Sequence, residues 1–543
     1  MNSFEITANV VEIVERKITP AKVTIVDGRI AQIETTGPEL HPTYILPGFL
    51  DSHVHVESSM LVPSEFAKAA VCHGTVGTVS DPHEIGNVLG VQGVEFMLQN
   101  GATVPFKFCF GAPACVPATT FETSGATISA EEVEKLLADN RIGYLSEVMD
   151  FPGVLGKDPE LMRKISAAHS NGKIADGHAP GLRGEDAKNY FAAGISTDHE
   201  CFTKEEALDK IAVGCQVAIR EGSAARNFEA LYELVDEYPD QVMLCSDDKH
   251  PDELILGHID QLVRRGIAAG LDVFNLLKVA CINPVKLYDL DVGQLRIGDP
   301  ADFIEVENLE SMRVIKTYID GALVAEEGKS LIETKPCVPL NRFDAQTQAM
   351  DDIAISADSE LMKVICAIGG QLITKSESVA TKVIDGFAVS DPESDVLKLV
   401  VVNRYSKAPP AIAFVKGFGL KHGALASSVA HDSHNIISVG ADDKSLLTAI
   451  NAVIQMKGGL SVVALSECRT LELEVAGLMS TQSAEVVAQR YTELDQMVKQ
   501  LGSTLRAPFM TLSFMALLVI PDLKLSDRGL FDGQKFEFTN LFE

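Results

Sequence analysis

Between residues 48 and 285, short apolar runs alternate with helix-like stretches. The runs "GTVGTVSD", "FKFCFGA", "IGYLSEV", "KIADGHA", "ISTDHE", "CQVAIREG" and "QVMLCSDD" are interleaved with stretches such as "GVEFMLQNG", "AEEVEKLLADN", "DPELMRKISAAHSNG", "DAKNYFAAG", "KEEALDKIAVG" and "FEALYELVDEY". Apolar strands of this kind are buried on both faces, and helices connect them as right-handed crossovers, so the pattern builds a parallel sheet wrapped in helices. With "PGFLDSHV" as the first strand there are eight, which predicts an α/β fold of the (β/α)8 TIM-like barrel type over 48–285.

Both flanks of that region read differently. "AKVTIVDGRIAQIET" alternates with period two around Asp27-Gly28, and "VIKTYIDGALVAEEGK" does so around Asp320-Gly321, each the pattern of a hairpin with a two-residue turn. Residues 1–47 and 286–335 are therefore expected to form one small β-sandwich domain from both sides of the barrel. From residue 336 to 543 a third region, with strands in "SDVLKLVVVNRY" and "AIAFVKGFG" and a helix in "DDKSLLTAINAVIQM", reads as a separate α/β domain.

The chain of 543 residues carries a formal net charge of −30. Such a field repels phosphate backbones and anionic lipid, so neither nucleic acid nor a membrane is an expected partner, and a small neutral or cationic molecule is. The longest apolar run, around "FMALLVIP", is shorter than the roughly 20 residues that cross a bilayer. "MNSFEITANVVEIVERKITP" lacks the basic and apolar segments of a secretory signal. The ten cysteines are scattered without a Cys-x-x-Cys pair, as in reduced thiols. A cytoplasmic location is expected.

Catalytic groups of a barrel sit at the carboxyl ends of its strands. Here the strands end in His53-x-His55, Glu147, His178, His199 and Asp247. Side chains alternate along a strand, so His53 and His55 point to one side and can share an ion. A lone strand-end histidine is more often a hydrogen-bonded structural residue. Six ligand-type residues at successive strand ends instead imply a centre for two divalent ions, with one carboxylate bridging them. His41, His73 and His169 lie off the strand ends and are read as structural, while His250 reads equally as a helix cap or loop contact and as a functional group.

"PGFLDSHVHVESSM", "DPHEIGNVLG", "SEVMDFPGV", "DGHAPGL", "STDHE" and "SDDKHPDEL" together resemble the amidohydrolase superfamily of metal-dependent hydrolase barrels, and within it the bacterial-type adenine deaminases. The resemblance continues through "KGFGLKHGALASSVAHDSHNIISVG" and "APFMTLSFMALLVIPDLKLSDRGLFD". It implies hydrolysis of adenine to hypoxanthine and ammonia, a purine-salvage reaction, by a metal-bridged hydroxide attacking C6. Manganese is the expected ion, with iron and zinc as alternatives, because mixed imidazole and carboxylate ligation admits all three. Many superfamily members bridge their metals with a carbamylated lysine. Glu147 stands in that place here, and Lys173 precedes its strand at the wrong end of the barrel.

Asp247 is placed to take a proton during attack and return it to departing ammonia, and Glu84 to protonate ring N1. Glu84 can equally be a helix-start carboxylate facing the dipole. Glu57 is expected to orient a ligand imidazole. His83, His431, Asp432 and His434 are expected near the substrate, the last three on a loop that the third domain folds over the barrel mouth, with a purely structural role for that loop equally open; Lys416 and Lys421 are read as solvated. Two other readings stay open: a metal-dependent cyclic amide or dipeptide hydrolase using Arg183 to hold a carboxylate, and a catalytically silent barrel scaffold. Barrels of this type usually associate, so a homo-oligomer is expected.

Overall fold

The computed structural model describes residues 3–465 and 467–543. Eight parallel strands form the centre: β1 (Phe49–Val54), β2 (Thr75–Ser80), β3 (Lys107–Ala112), β4 (Ile142–Val148), β5 (Ala175–Gly177), β6 (Thr197–Asp198), β7 (Gln216–Arg220) and β8 (Val242–Cys245). Strands β1 to β5 pair in order in one ladder, and β6 to β8 in another. Single parallel bridges, Ala175 to Ile195 and Val54 to Asp247, span the two gaps. The curled sheet therefore returns to its own first strand, as the alternation predicts. Every residue of β1 and β2 is buried, the polar ones Asp51, Ser52, His53, Thr75, Thr78 and Ser80 included, so neither strand shows the apolar–polar alternation of a half-exposed sheet.

Local chemistry places the helices between them. Ser129 and Glu132 form a reciprocal capping box at the start of Ala130–Leu137, while Asp158 caps Pro159–Ser170 and Thr203 caps Lys204–Ala212. Each cap satisfies amide hydrogens that the first helical turn leaves without partners. The strand ends are thus held at one rim.

Strands from both flanks join one eight-stranded mixed sheet, in which Tyr44–Pro47 lies between Ser3–Glu12 and Phe303–Val306. Both expected hairpins are present, with positive φ at Asp27 (48°), Gly28 (79°), Asp320 (47°) and Gly321 (72°). The sheet curls over a core that includes Val23, Ile25, Phe303 and Tyr318, so the two hairpin tips meet. A Cβ on Gly28 would stand 2.6 Å from the Asp320 carbonyl oxygen, so both φ and space require glycine there.

A second eight-stranded sheet forms from residues 361–472. Helix Asp443–Met456, capped by Asp442 as its sequence suggests, covers one face through Leu446, Ile450 and Val453. The other face, through Leu399, Val401, Leu425 and Ile437, belongs to the same hydrophobic core as the barrel. Polar ties reinforce the contact: Asn435 Nδ2 donates to the Thr123 carbonyl at 2.8 Å, and Thr123 N–H donates to Asp527 at 2.8 Å. This packing brings the carboxyl-terminal segment onto the barrel rim that carries the strand ends.

Candidate active site

Glu147, at the end of β4, occupies the centre of the rim. Its Oε1 lies 3.6 Å from His55 Nε2 and 3.4 Å from His83 Nδ1, and its Oε2 lies 2.9 Å from His178 Nδ1 and 3.2 Å from His199 Nε2. One carboxylate therefore faces four imidazoles. His53 stacks on His199 with ring centroids 3.9 Å apart, and its Nε2 is 3.9 Å from Glu147. Asp247 completes the ring: its backbone N–H donates to the His53 carbonyl at 3.0 Å, its φ is 53°, and its Oδ1 is 3.4 Å from His55 Nε2. All six strand-end residues read from the sequence are thus buried together.

Their protonation follows from the neighbours. Burial alone would raise both carboxyls, but His178 and His199 hold Glu147 well below the usual carboxylate range, and Arg220 with His199 holds Asp247 down. Burial would also discharge His178, yet Glu200 and Glu147 push it up to about 9.

The donor set fits divalent metal. Both ring nitrogens of His53 and Nε2 of His178 are buried without a hydrogen-bond partner, which is costly unless an ion, displacing a proton where one is bound, takes one lone pair on each ring. Donor atoms of His55, Asp81, His83 and Glu147 lie within 4.8 Å of one another, and so do those of His53, His55 and Asp247, of His53, Glu147 and His199, and of His178, His199 and Glu200. Six carboxylates line the cavity, with Arg220 as the one guanidinium or ammonium among the described lining residues. Imidazole and carboxylate oxygen together suit Mn, Fe or Zn.

The roof of the cavity is apolar, from Leu372, Phe514, Leu517 and Val519, with Met149 on the barrel side. The run "FMALLVIP", too short to span a bilayer, supplies most of that roof, and no helix among the described residues is long and apolar enough to cross a membrane.

Two family models match the chain: the amidohydrolase family over residues 44–324 and the adenine deaminase C-terminal domain over residues 371–537. An adenine deaminase of Salinibacter ruber is 57% identical over 99% of this chain and 99% of its own. The chain belongs to the adenine deaminase family. Further adenine deaminases, of Sulfurovum sp. (53% identity, 99% of both chains) and Methanosarcina mazei (51%, 98% of both), agree with it over the same length.

In this family member the barrel and the carboxyl-terminal domain meet on Glu84. Glu84 lies in the first turn of helix His83–Leu89 and is buried. Its Oε1 contacts His431 Nδ1 and its Oε2 contacts His434 Nε2. Burial would raise this carboxyl, but His431, His434 and His83 hold it well below the usual range. Asp432 Oδ1 lies 3.8 Å from His83 Nε2, with its other oxygen unpaired. Glu57 accepts the Ile85 N–H at 3.2 Å and so supports the Glu84 helix, whereas the sequence suggested that it orients an imidazole.

Arg183 is half exposed and paired with Asp209 at 2.7 Å, outside the cavity, so it is not positioned to hold a substrate carboxylate there. Lys173 donates to the Leu137 and Asp139 carbonyls, away from the rim. His250 stands at the N-cap of Pro251–Leu254 without a capping bond and packs edge-on against Tyr491. Lys416 pairs with Glu377 at 3.0 Å and Lys421 donates to the Pro392 carbonyl, both partly exposed.

Sequence reasoning missed four cavity-side groups, Asp81, Glu200, Arg220 and Asp248, the last lining the cavity beside Asp247. Asp81 accepts the His83 and Glu147 N–H groups, and Glu200 lies 3.6 Å from His178. Both stand inside motifs already singled out, next to assigned residues. Arg220, the last residue of β7, donates to Asp247 at 2.5 Å and grips Glu200 with both terminal nitrogens. Its signal was its position at a strand end, where only histidine and carboxylate were sought.

Proposed function

We propose that this chain hydrolyses adenine to hypoxanthine and ammonia at the barrel rim, with His53, His55, Glu147, His178, His199 and Asp247 holding two divalent ions, manganese by preference. What most supports this reading is the delivery of His431 and His434, from the domain matched to adenine deaminases, onto Glu84 of the barrel. Bound there, divalent ions would lower the pKa of water to about 7 and supply a nucleophile at neutral pH. Asp247 takes the proton of the attacking water and passes it to the departing amino group, so that water and adenine leave as hypoxanthine and ammonia. Its ionised form is maintained by Arg220. Glu84 sits across the cavity with two imidazoles on its oxygens, a relay able to hand a proton to ring N1 as aromaticity is broken. Leu372, Phe514, Leu517 and Val519 exclude bulk water, which strengthens every polar contact beneath them. Glu57 and Asp81 support the backbone at Ile85, His83 and Glu147. His83 and Asp432 complete the wall beside Glu84. The proposal includes a homo-oligomer working in the cytoplasm, with mass in solution as the check on the first.

The test is the loss of adenine absorbance with ammonia release by manganese-loaded protein, beside Asp247→Asn. Conversion by the wild type and not by the variant is the expected result. Adenine left untouched by metal-loaded protein would remove the substrate from this reading and turn attention to cyclic amides.

A further inference from the structure

Arg404 is fully buried, and no acidic side chain among the described residues lies within ion-pair distance of it. A lone guanidinium in such a place is expensive unless its donors are all used. Here they meet backbone carbonyls and one amide: Nη1 donates to the His434 carbonyl at 3.2 Å, and Nη2 donates to the Ala476 carbonyl at 2.6 Å and to Asn341 Oδ1 at 3.2 Å. Nε reaches the Arg342 carbonyl at 3.4 Å. Phe343 and Tyr405 stack on its cationic plane at 5.2 and 5.3 Å.

The neighbouring residue grips the same loop. Tyr405 Oη donates to the Ser433 carbonyl at 2.6 Å, and Arg404 N–H donates to Asn435 Oδ1 at 3.0 Å. Three successive residues, Ser433, His434 and Asn435, are therefore bonded to two, Arg404 and Tyr405. The held peptide needs holding, because His434 sits at φ 54°, a left-handed conformation that a histidine adopts only at a cost. The Ala430 N–H points at His434 Nδ1 at 3.4 Å, which leaves Nε2 as the protonated nitrogen facing Glu84.

We infer that Arg404 and Tyr405 are positioning residues, which fix the Ser433–His434 bend so that the His434 imidazole stays on Glu84. This rests on the reading of Glu84 as a participant in proton transfer. Neither side chain lines the substrate cavity; both act through the Ser433–Asn435 segment they hold, which carries His434 onto Glu84.

Tyr405→Phe removes a single hydroxyl and one bond, and Arg404→Lys keeps the charge but not the fork; both are made in the full-length, manganese-loaded protein beside Glu84→Gln and His434→Ala. For Tyr405→Phe, kcat for adenine is expected to fall about fivefold, as the loss of one net hydrogen bond implies, with KM and bound metal unchanged. Arg404→Lys is expected to lose more. In a His434→Ala background, Tyr405→Phe is expected to cost nothing further, since coupled residues are not additive. An equal cost in both backgrounds, or an unchanged kcat for Tyr405→Phe while Glu84→Gln is impaired, overturns the inference. Wild-type kcat in Glu84→Gln removes the underlying reading of Glu84, and the inference with it.

Discussion

Arg220→Gln isolates the electrostatic support of Asp247. In the wild type, Arg220 Nη1 donates to Asp247 Oδ2 at 2.5 Å while the guanidinium also holds both oxygens of Glu200, and all three groups are buried. A hydrogen bond to a charged group contributes about 1.5–3 kcal/mol, and its loss leaves a buried carboxylate that burial drives toward its neutral form. If the whole loss at Asp247 falls on the transition state, kcat declines about 10- to 150-fold at 1.36 kcal/mol per decade. Arg220→Lys presents one point charge to two carboxylates and should fall between Gln and wild type. The sign in pH follows: Asp247 is held below its ordinary pKa, so removing the guanidinium raises it and moves the acid limb of kcat upward in pH. Steady-state kinetics across pH on metal-analysed protein read both effects. Wild-type kcat and an unmoved acid limb in Arg220→Gln, with full metal content, would refute the assignment of Asp247 as a proton carrier supported by Arg220.

Other perturbations separate metal retention, fold and pH response. Glu147→Gln removes the charge at the centre of four imidazoles, and metal analysis after gel filtration should find fewer than two ions per chain. Gly28→Val forces a branched side chain into φ 79° and against Asp320, and should lower the apparent melting temperature, by roughly 1–3 kcal/mol of local strain, without changing kcat. Lys524 is buried, donates to the Leu372 and Phe514 carbonyls under the roof, and is pushed down by burial to about 7. Between that pH and the usual lysine value near 10.4 the unfolded chain binds a proton that the fold does not, so stability rises with pH there. The melting temperature of wild type relative to Lys524→Met should therefore climb from pH 7.5 to about 9.5; a gap independent of pH would contradict the buried, neutral lysine.

The barrel and its ring of ligand-type residues were readable because two periodicities coincide. Strands buried on both faces write themselves as apolar runs, and a residue that ends such a run must stand on the rim, so His53, His55, Glu147, His178, His199 and Asp247 could be placed together without knowing any distance. Groups that depend on adjacency were not readable in that way. Asp81 and Glu200 stand beside assigned residues, and nothing in the spacing says that their oxygens turn inward as well. The roof is a plainer case: Phe514, Leu517 and Val519 have the composition of any core segment, and only the packing of the second sheet on the rim turns them toward the cavity. Arg404 illustrates the limit, since a single arginine after a strand carries no mark of burial or of the carbonyls that surround it. His431 and His434 were visible as a cluster, but their target, Glu84, lies about 350 residues earlier and is joined to them only by tertiary structure.

The most direct measurement is a titration of metal-free protein with manganese, following bound ion and adenine deamination together. Activity that rises with bound metal and levels off at two ions per chain is the expected result. Deamination by metal-free protein, or a plateau reached at one ion, would contradict the two-ion centre on Glu147.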